Sequence, residues 1–536
     1  MTDQQDEKSG ISRRTALGIL GAAGAGAAAA PLLGAAGANA APAGATHGPT
    51  LLSNPTVGTT PVQGLHLTFG ADPTRQMVVS WISDGPVAHP RVVYGSLSGG
   101  FGSEVSAETV TYVDGSSNRT VYVHHARLNN LRPDTNYIYA AQHDGATPDA
   151  GTFRTAPSGR APFAFTSFGD QSAPQVSWAL PDATGLIAVG LDANSTPATK
   201  DIVTGIEHVA PLFHLLNGDL CYANLDVDRV RTWNNFFTNN TRSTRFRPWM
   251  PAAGNHEIEK QNGPIGLGAF QAYFRVPSTE TDAELAGLWY TFVVGSVQVI
   301  VLQNDDICLQ DGGDEYIHGY SGGRQLAWLE KTLASARKSG AVDWIVVAMH
   351  QVMVSSSDAN GADLGLRQAY GPLFDKYGVD LVLCGHEHDY ERSLAVHGVV
   401  SGSETLTPNP VSDAKDDIDS DHGTVHMVLG GGGVSGTTNG SFFTDGTGKV
   451  ITAVSATAGS NGKRTPTYVK EKAVWSAVRD LEHPYGFAAF TVDPGTRPGG
   501  TTTMHVTYYN VNKPSGELSV FEQFSLHRTR SDGFHR

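Results

Sequence analysis

The chain has 536 residues, of which 40% are hydrophobic and 9% aromatic, so it can bury a large core and is not a disordered chain. Its 37 basic and 52 acidic residues leave a formal charge of −15, and no run of five Lys/Arg occurs, which argues against a nucleic-acid backbone binder. Three cysteines exclude a disulfide-framed scaffold, and 62 glycines point to many loops and tight turns.

The first element is an address. Ser12-Arg13-Arg14 precedes an Ala/Gly/Leu stretch that ends at Ala38-Asn39-Ala40, a small-residue cleavage pattern. Paired arginines before a weakly apolar middle predict a signal peptide over residues 1–40, read by the twin-arginine export machinery, and a secreted or extracytoplasmic protein. An uncleaved membrane anchor is the weaker alternative, because Ala and Gly insert poorly. Cleavage removes three basic and three acidic residues, so the mature chain stays at −15. No later stretch holds 18 uninterrupted apolar residues, which predicts a soluble mature chain. Residues 41–60, rich in Ala, Pro, Gly, Thr and Ser, read as a linker.

Residues 61–157 predict an all-β module. Short apolar runs such as Leu65–Phe69, Gln76–Trp81, Arg91–Tyr94, Thr120–His124 and Asn136–Ala140 recur between turn residues. Leu131–Tyr137 reads as the turn before a corner tyrosine, with Trp81 as the core aromatic. This stretch resembles a fibronectin type III sandwich.

From Phe163 onward the pattern becomes α/β. Strands are expected at Phe163–Phe168, Leu212–Leu216, Val297–Leu302, Trp344–Ala348 and Leu381–Leu383, with helices at Lys200–Val209, Arg324–Ala336 and Leu366–Tyr377. The tail is again strand-rich, at Val425–Leu429, Phe487–Val492 and Thr502–Tyr509, and is expected to close the same domain, residues 160–528. Segment 403–423 is polar and acidic and reads as a surface loop.

Five patches carry chemistry: Gly169-Asp170-Gln171, Asn217-Gly218-Asp219-Leu220-Cys221-Tyr222, Gly254-Asn255-His256-Glu257, Ala348-Met349-His350-Gln351 and Gly385-His386-Glu387-His388-Asp389-Tyr390-Glu391-Arg392. Each follows an apolar run, and open α/β sheets place ligands at the carboxyl ends of strands. Oxygen and imidazole donors of this kind suit iron, zinc or manganese without any thiolate. His386 and His388 are two apart, so an extended segment would point both the same way. Two adjacent metals could take one each. Asp219 has two oxygens and can bridge, Asn255 can ligate through its amide oxygen, and His256 carries a titratable proton. Cys221, Cys308 and Cys384 read as buried small hydrophobes, and Glu391 and Arg392 as a pair that braces the loop. The run Gly430–Gly433 reads equally as a plain turn or as part of the site; His318 and His483 read as structural.

The order GD, GDxxY, GNHE, H and GHxHxYER resembles the purple acid phosphatases of the calcineurin-like metallophosphoesterase superfamily, over about residues 61–528. The resemblance implies a fibronectin-like β-sandwich followed by an α/β sandwich with mixed sheets. It implies two metals. Asp170, Tyr222 and His388 would hold Fe(III), Asn255, His350 and His386 a divalent Zn, Fe or Mn, and Asp219 would bridge. A hydroxide held by the metals would attack a phosphate monoester, and His256 would protonate the leaving group. Most of the superfamily carries Asp-x-His in the first motif. Here Asp170-Gln171-Ser172 lacks that His, and Tyr222 supplies the ligand, as in the purple enzymes. The histidines that many plant members place after the fourth motif are replaced by Gln351-Val352-Met353, so no substrate contacts are assigned there. A phosphodiesterase or nucleotidase with the same metals remains the alternative, followed by a binding protein that keeps the metals for structure.

Overall fold

The computed structural model describes residues 51, 55–173, 177–181, 187–191, 196–310, 312–434, 442–460, 462–512 and 517–533. The expected signal segment 1–40 and most of the expected linker lie outside them. The linker's last residues already pack: the Thr56 amide donates to Gly145 O at 2.8 Å.

Residues 63–154 form two four-stranded antiparallel sheets. Strands Gln63–Phe69, Met77–Ser83, Thr120–Leu128 and Glu108–Val113 make one; Ser103–Ser106, Arg91–Ser96, Asn136–Gln142 and Asp149–Arg154 make the other. Trp81 is fully buried between them. The Tyr137 hydroxyl accepts the Arg132 amide at 2.8 Å and closes the predicted turn. A two-sided antiparallel strand should alternate, yet every residue of Met77–Ser83 is buried. The second domain covers the outer face: Thr241 and Thr244 hydroxyls donate to Leu65 O at 2.8 and 2.9 Å, and His125 Nε2 lies 3.0 Å from Ala272 O. One continuous apolar core runs through both domains.

The second domain packs around two seven-stranded mixed sheets. The first orders Trp249–Ala252, Phe213–Asn217, Phe163–Phe168, Gly486–Asp493, Thr501–Asn512, Glu517–Thr529 and Asp417–Asp419. The second orders Tyr290–Val294, Val297–Val301, Trp344–Ala348, Leu381–Cys384, Val425–Leu429, Tyr390–Ser393 and Ser476–Arg479. The central strands VQVIV, WIVVA and LVLC are buried along their whole length, hence their near-continuous apolar sequences.

Three expectations need correction. The helix expected over Leu366–Tyr377 is two helices, Leu364–Ala369 and Gly371–Tyr377, because Pro372 has no amide to continue the first. Helix Arg229–Thr244 was not foreseen; its many Asn and Thr residues hide the Trp233, Phe236 and Phe237 face that packs inward. Segment 403–423 is more than a surface loop. Its Asp417–Asp419 becomes an edge strand on Glu517–Thr529, with Ile418 buried and the Ser420 hydroxyl donating to Asp380 at 2.9 Å.

Candidate metal centre

Five parallel strands, three from one sheet and two from the other, end at the same place. Asp170, Asp219, Asn255, His350 and His386 follow their strands by two or three residues. Asp170, Asp219, Tyr222 and His386 have φ of 59°, 51°, 58° and 72°, in the left-handed region that non-glycine residues avoid. Each such residue costs of order 1 kcal/mol or more, and they cluster where the surrounding structure imposes them.

The imposition is visible. The Glu257 carboxylate accepts the amides of Asp219, Leu220 and Gly254 at 2.8–2.9 Å and staples two of the loops together. Burial, and then the Asp219 charge, push its pKa up to about 8. Glu387 accepts the amides of Asn360 and Gly361, and Asn360 Nδ2 donates to His386 O at 3.1 Å. The run Gly430–Gly433 belongs to the site. A Cβ on Gly430 would sit 1.9 Å from Glu387 O and 3.1 Å from Asp170 Oδ2, and the Val434 amide donates to Asp170 O at 3.1 Å.

The seven predicted ligands fall into two groups joined by one. Tyr222 Oη lies 3.1 Å from Asp170 Oδ1 and 3.0 Å from His388 Nε2. His350 Nε2 lies 3.0 Å from Asn255 Oδ1 and 3.3 Å from His386 Nδ1. Donor atoms of Asp219, His350 and His386 all fall within 4.8 Å of one another. Asp219 Oδ2 lies 3.1 Å from His350 Nε2, and the Asp219 charge also acts on Tyr222 and His388. The extended geometry expected for residues 386–388 is not found. His386 takes a left-handed turn, and that turn sends one imidazole to each group.

Tautomers follow from the outer partners. His350 Nδ1 donates to Asn217 O at 2.8 Å, which leaves Nε2 for the site. His386 Nε2 lies 3.0 Å from Gln310 Oε1, which leaves Nδ1. His256 stands at the edge, its ring centroid 4.5 Å from that of Tyr222 and its Nε2 4.0 Å from Asp219 Oδ2.

Several neighbours escaped the sequence reading. Asn224, two residues past Tyr222, meets His256 Nδ1 at 3.0 Å. Gln310 is far from every motif and arrives by topology alone. Gln171 turns away from the centre into a reciprocal amide pair with Asn240, both bonds 2.9 Å. Glu391 and Arg392 do not pair. Successive strand residues point to opposite faces, so Glu391 holds Ser356 and Arg392 holds Glu522. The three cysteines are buried and free, as expected. His318 Nδ1 bonds Cys308 O, and His483 bonds Asp480.

Residues 62–155 match the family "Purple acid Phosphatase, N-terminal domain", and residues 194–390 match "Calcineurin-like phosphoesterase". An uncharacterized protein of Mycobacterium tuberculosis is 54% identical over 477 residues, 88% of each chain. Purple acid phosphatase 1 of Ipomoea batatas is 28% identical over 392 residues, covering 70% of this chain and 72% of its own. The chain belongs to the purple acid phosphatase family. It is a metal-dependent phosphoric ester hydrolase, and it works with two metal ions. The Fe(3+)-Zn(2+) purple acid phosphatase 12 of Arabidopsis thaliana is 26% identical over 381 residues, 70% of this chain and 72% of that one. The fold agrees: a purple acid phosphatase from yellow lupin seeds superposes with a TM-score of 0.62 at 22% identity, over 88% of this chain and 75% of its own.

The donors of this purple acid phosphatase fit cations. Asp170 and Asp219 are buried carboxylates, and among the described residues their side-chain ion pairs are with histidines, with no Lys or Arg. Burial raises the Asp219 pKa, but the His350 and His256 charges outweigh it and hold the carboxylate below its usual range. Burial lowers the His350 pKa, but Asp219 outweighs it and pushes it up to about 10. A metal ion would take the place of that proton.

Proposed function

We propose that this enzyme is a secreted acid phosphatase that hydrolyses phosphate monoesters. One observation carries the reading: two buried groups of oxygen and imidazole donors meet at the Asp219 carboxylate, and a histidine that belongs to neither stands beside them. Asp170, Tyr222 and His388 would hold Fe(III); Asn255, His350 and His386 would hold a divalent Zn, Fe or Mn; Asp219 would bridge. When bound, the two ions neutralise phosphoryl oxygens and make hydroxide available near neutral pH. The chain supplies the rest. Glu257 and Glu387 fix the loops that carry the ligands. His256 presents Nε2 and, as imidazolium, gives its proton to the departing alkoxide while the ester P–O bond breaks and a new P–O bond to water's oxygen forms.

Charge supports a monoester. Fe(III) and a divalent ion bring +5, and Asp170, Asp219, a Tyr222 phenolate and hydroxide bring −4; with the His256 imidazolium the site stands at +2, which matches a dianionic ester. A diester has one charge fewer and a second group to house. Export rests on the sequence alone: Arg13-Arg14 and Ala38-Asn39-Ala40 support the twin-arginine route, which carries folded, metal-loaded proteins.

The test compares kcat/KM for nitrophenyl phosphate, bis-nitrophenyl phosphate, an alkyl monoester and a cyclic nucleotide in one metal-analysed preparation. Monoesters are expected to lead. Preference for either diester would replace this reading with the phosphodiesterase or nucleotidase one.

A further inference from the structure

A histidine stands inside an otherwise apolar strand. Val425–Leu429 reads Val-His-Met-Val-Leu, and all five residues are buried. Val425 and Met427 belong to the main core. His426 points to the opposite face of the sheet, as does Thr424 two residues before it. Both line a cavity of about 320 Å³, small but within the range of ligand pockets. Helix Gly371–Tyr377 and the hairpin of strands Val396–Val399 and Pro408–Pro410 enclose it, and none of the seven metal ligands lines it. Its walls are mainly Met353, Phe374, Val396, Val399, Leu406 and Pro408. Val399 is 52% exposed, so the cavity opens to solvent beside the hairpin.

Four polar side chains reach the walls, and three of them are engaged. Arg367 makes a bidentate pair with Glu471 and also donates to Met353 O and Thr405 O. The Thr424 hydroxyl donates to Val379 O at 2.7 Å. Asp375 accepts the Gly398 amide at 2.9 Å and lies 3.4 Å from His397 Nδ1. His426 is the exception, because its Nδ1 is buried with no hydrogen-bond partner. Burial, and then the Arg367 charge, lower its pKa to about 3, so the ring is neutral. A neutral imidazole offers one N–H and one lone pair, and leaving such a group unmet in the interior is costly. Gly371 adds to the free space: outside its own helix, a Cβ there would meet only Met353 Cε, at 3.7 Å.

We propose that this cavity is a second binding site, for a compact, neutral, largely apolar molecule that carries one hydroxyl, with His426 as its hydrogen-bond partner. A hydroxyl both donates and accepts, so it meets either tautomer of the neutral ring. The aliphatic and Phe374 walls take the apolar body. An anion does not suit the site, because Glu471 already neutralises Arg367 and the Asp375 carboxylate stands in the same walls. Water alone is a poor occupant, since it needs two to four polar partners and the walls offer one unmet group. The site is independent of the metal centre and of the ester that the enzyme cleaves.

The test uses the full-length, metal-loaded protein and two probes of nearly the same shape, 2-naphthol and 2-methylnaphthalene, which differ by a hydroxyl in place of a methyl. Excess inorganic phosphate is present, so that the metals offer no place to the naphthol oxygen. Fluorescence titration gives a Kd for each probe. The wild type is expected to bind 2-naphthol roughly tenfold more tightly, as one hydrogen bond to a buried, otherwise unpaired group would give. His426→Leu should bring the two Kd values together while 2-methylnaphthalene stays bound, because the apolar walls remain. Gly371→Leu, which fills the cavity and keeps His426, should lose both probes. A wild type that binds neither probe, or both equally, overturns the proposal, as does a hydroxyl preference that survives in His426→Leu. Should His426→Leu fail to fold, Gly371→Leu decides alone: loss of 2-naphthol binding supports the site, and retained binding overturns it.

Discussion

Asn224 fixes the tautomer of His256. The Asp314 carboxylate can only accept, so the Asn224 atom 3.2 Å from it is Nδ2, and Oδ1 faces His256 Nδ1 at 3.0 Å. His256 must then carry its proton on Nδ1, which leaves Nε2 toward Asp219 and the substrate. Asp314 is itself anchored by Arg229 Nη2 at 2.8 Å and by the Lys260 amide at 3.1 Å. This chain of bonds sets the direction of proton transfer: the neutral ring accepts a proton at Nε2 and the imidazolium gives it up there, although burial holds the His256 pKa below its usual value against the pull of Asp219.

His256→Ala is expected to keep both metals and to lose roughly 10²–10⁴-fold in rate on alkyl phosphates, with much less loss on nitrophenyl phosphate. Asn224→Leu should show the same pattern at about a tenth of the size, because the ring stays but its orientation loosens. The dependence of kcat on leaving-group pKa reads this directly. Equal losses on alkyl and aryl esters would remove His256 from the acid's role.

Asp219→Asn and His386→Ala should each abolish hydrolysis and lower metal content, the first by removing the shared charge and the second by removing a donor. Gln310→Met should weaken metal binding about tenfold with the fold intact, because His386 Nε2 loses its acceptor and Nδ1 is no longer held toward the site. Metal titration followed by elemental analysis separates these cases. Full metal retention in His386→Ala would exclude it as a ligand.

His125 predicts an acid limit on stability. It is buried where the β-module meets the second domain, with Ser80 Oγ at 2.8 Å and Ala272 O at 3.0 Å. Burial, then the His66 and Arg275 charges, lower its pKa from 6.5 to about 3. The unfolded chain therefore binds this proton first, so stability is full above pH 6.5 and falls as pH drops from 6.5 toward 3. The loss from this site reaches roughly 2 kcal/mol by pH 5. His125→Gln, which keeps an amide for Ala272 O, should lose less between pH 7.5 and 5. Urea midpoints at the two pH values check it, and identical pH dependence in both proteins would contradict it.

The ligands were legible because each sits one short turn beyond an apolar strand, and GHEHDYER packs two of them into three residues. The order of the strands in the sheets was not legible, and it decides everything that reaches the centre from elsewhere. Gln310 and Asp314 carry no local pattern; they arrive because one wall segment packs beside the strand ends. Asn224 could have been read from its position two past Tyr222. Helix Arg229–Thr244 was missed because its Asn and Thr residues mask the helical period of Trp233, Phe236 and Phe237. Arg392 departs from the sequence expectation for the opposite reason: the strand pleat sends it to Glu522 and its neighbour Glu391 to Ser356 on the other face.

The central claim is a two-metal centre with an iron–tyrosinate half. Elemental analysis of the purified enzyme, joined to its visible spectrum and that of Tyr222→Phe, tests it most directly. The predicted result is two metals per chain, one of them iron, with a phenolate-to-iron absorption band that Tyr222→Phe abolishes while retaining iron. An active, iron-loaded wild type without that band, or a variant that keeps it, would contradict the assignment of Tyr222 and with it the purple centre.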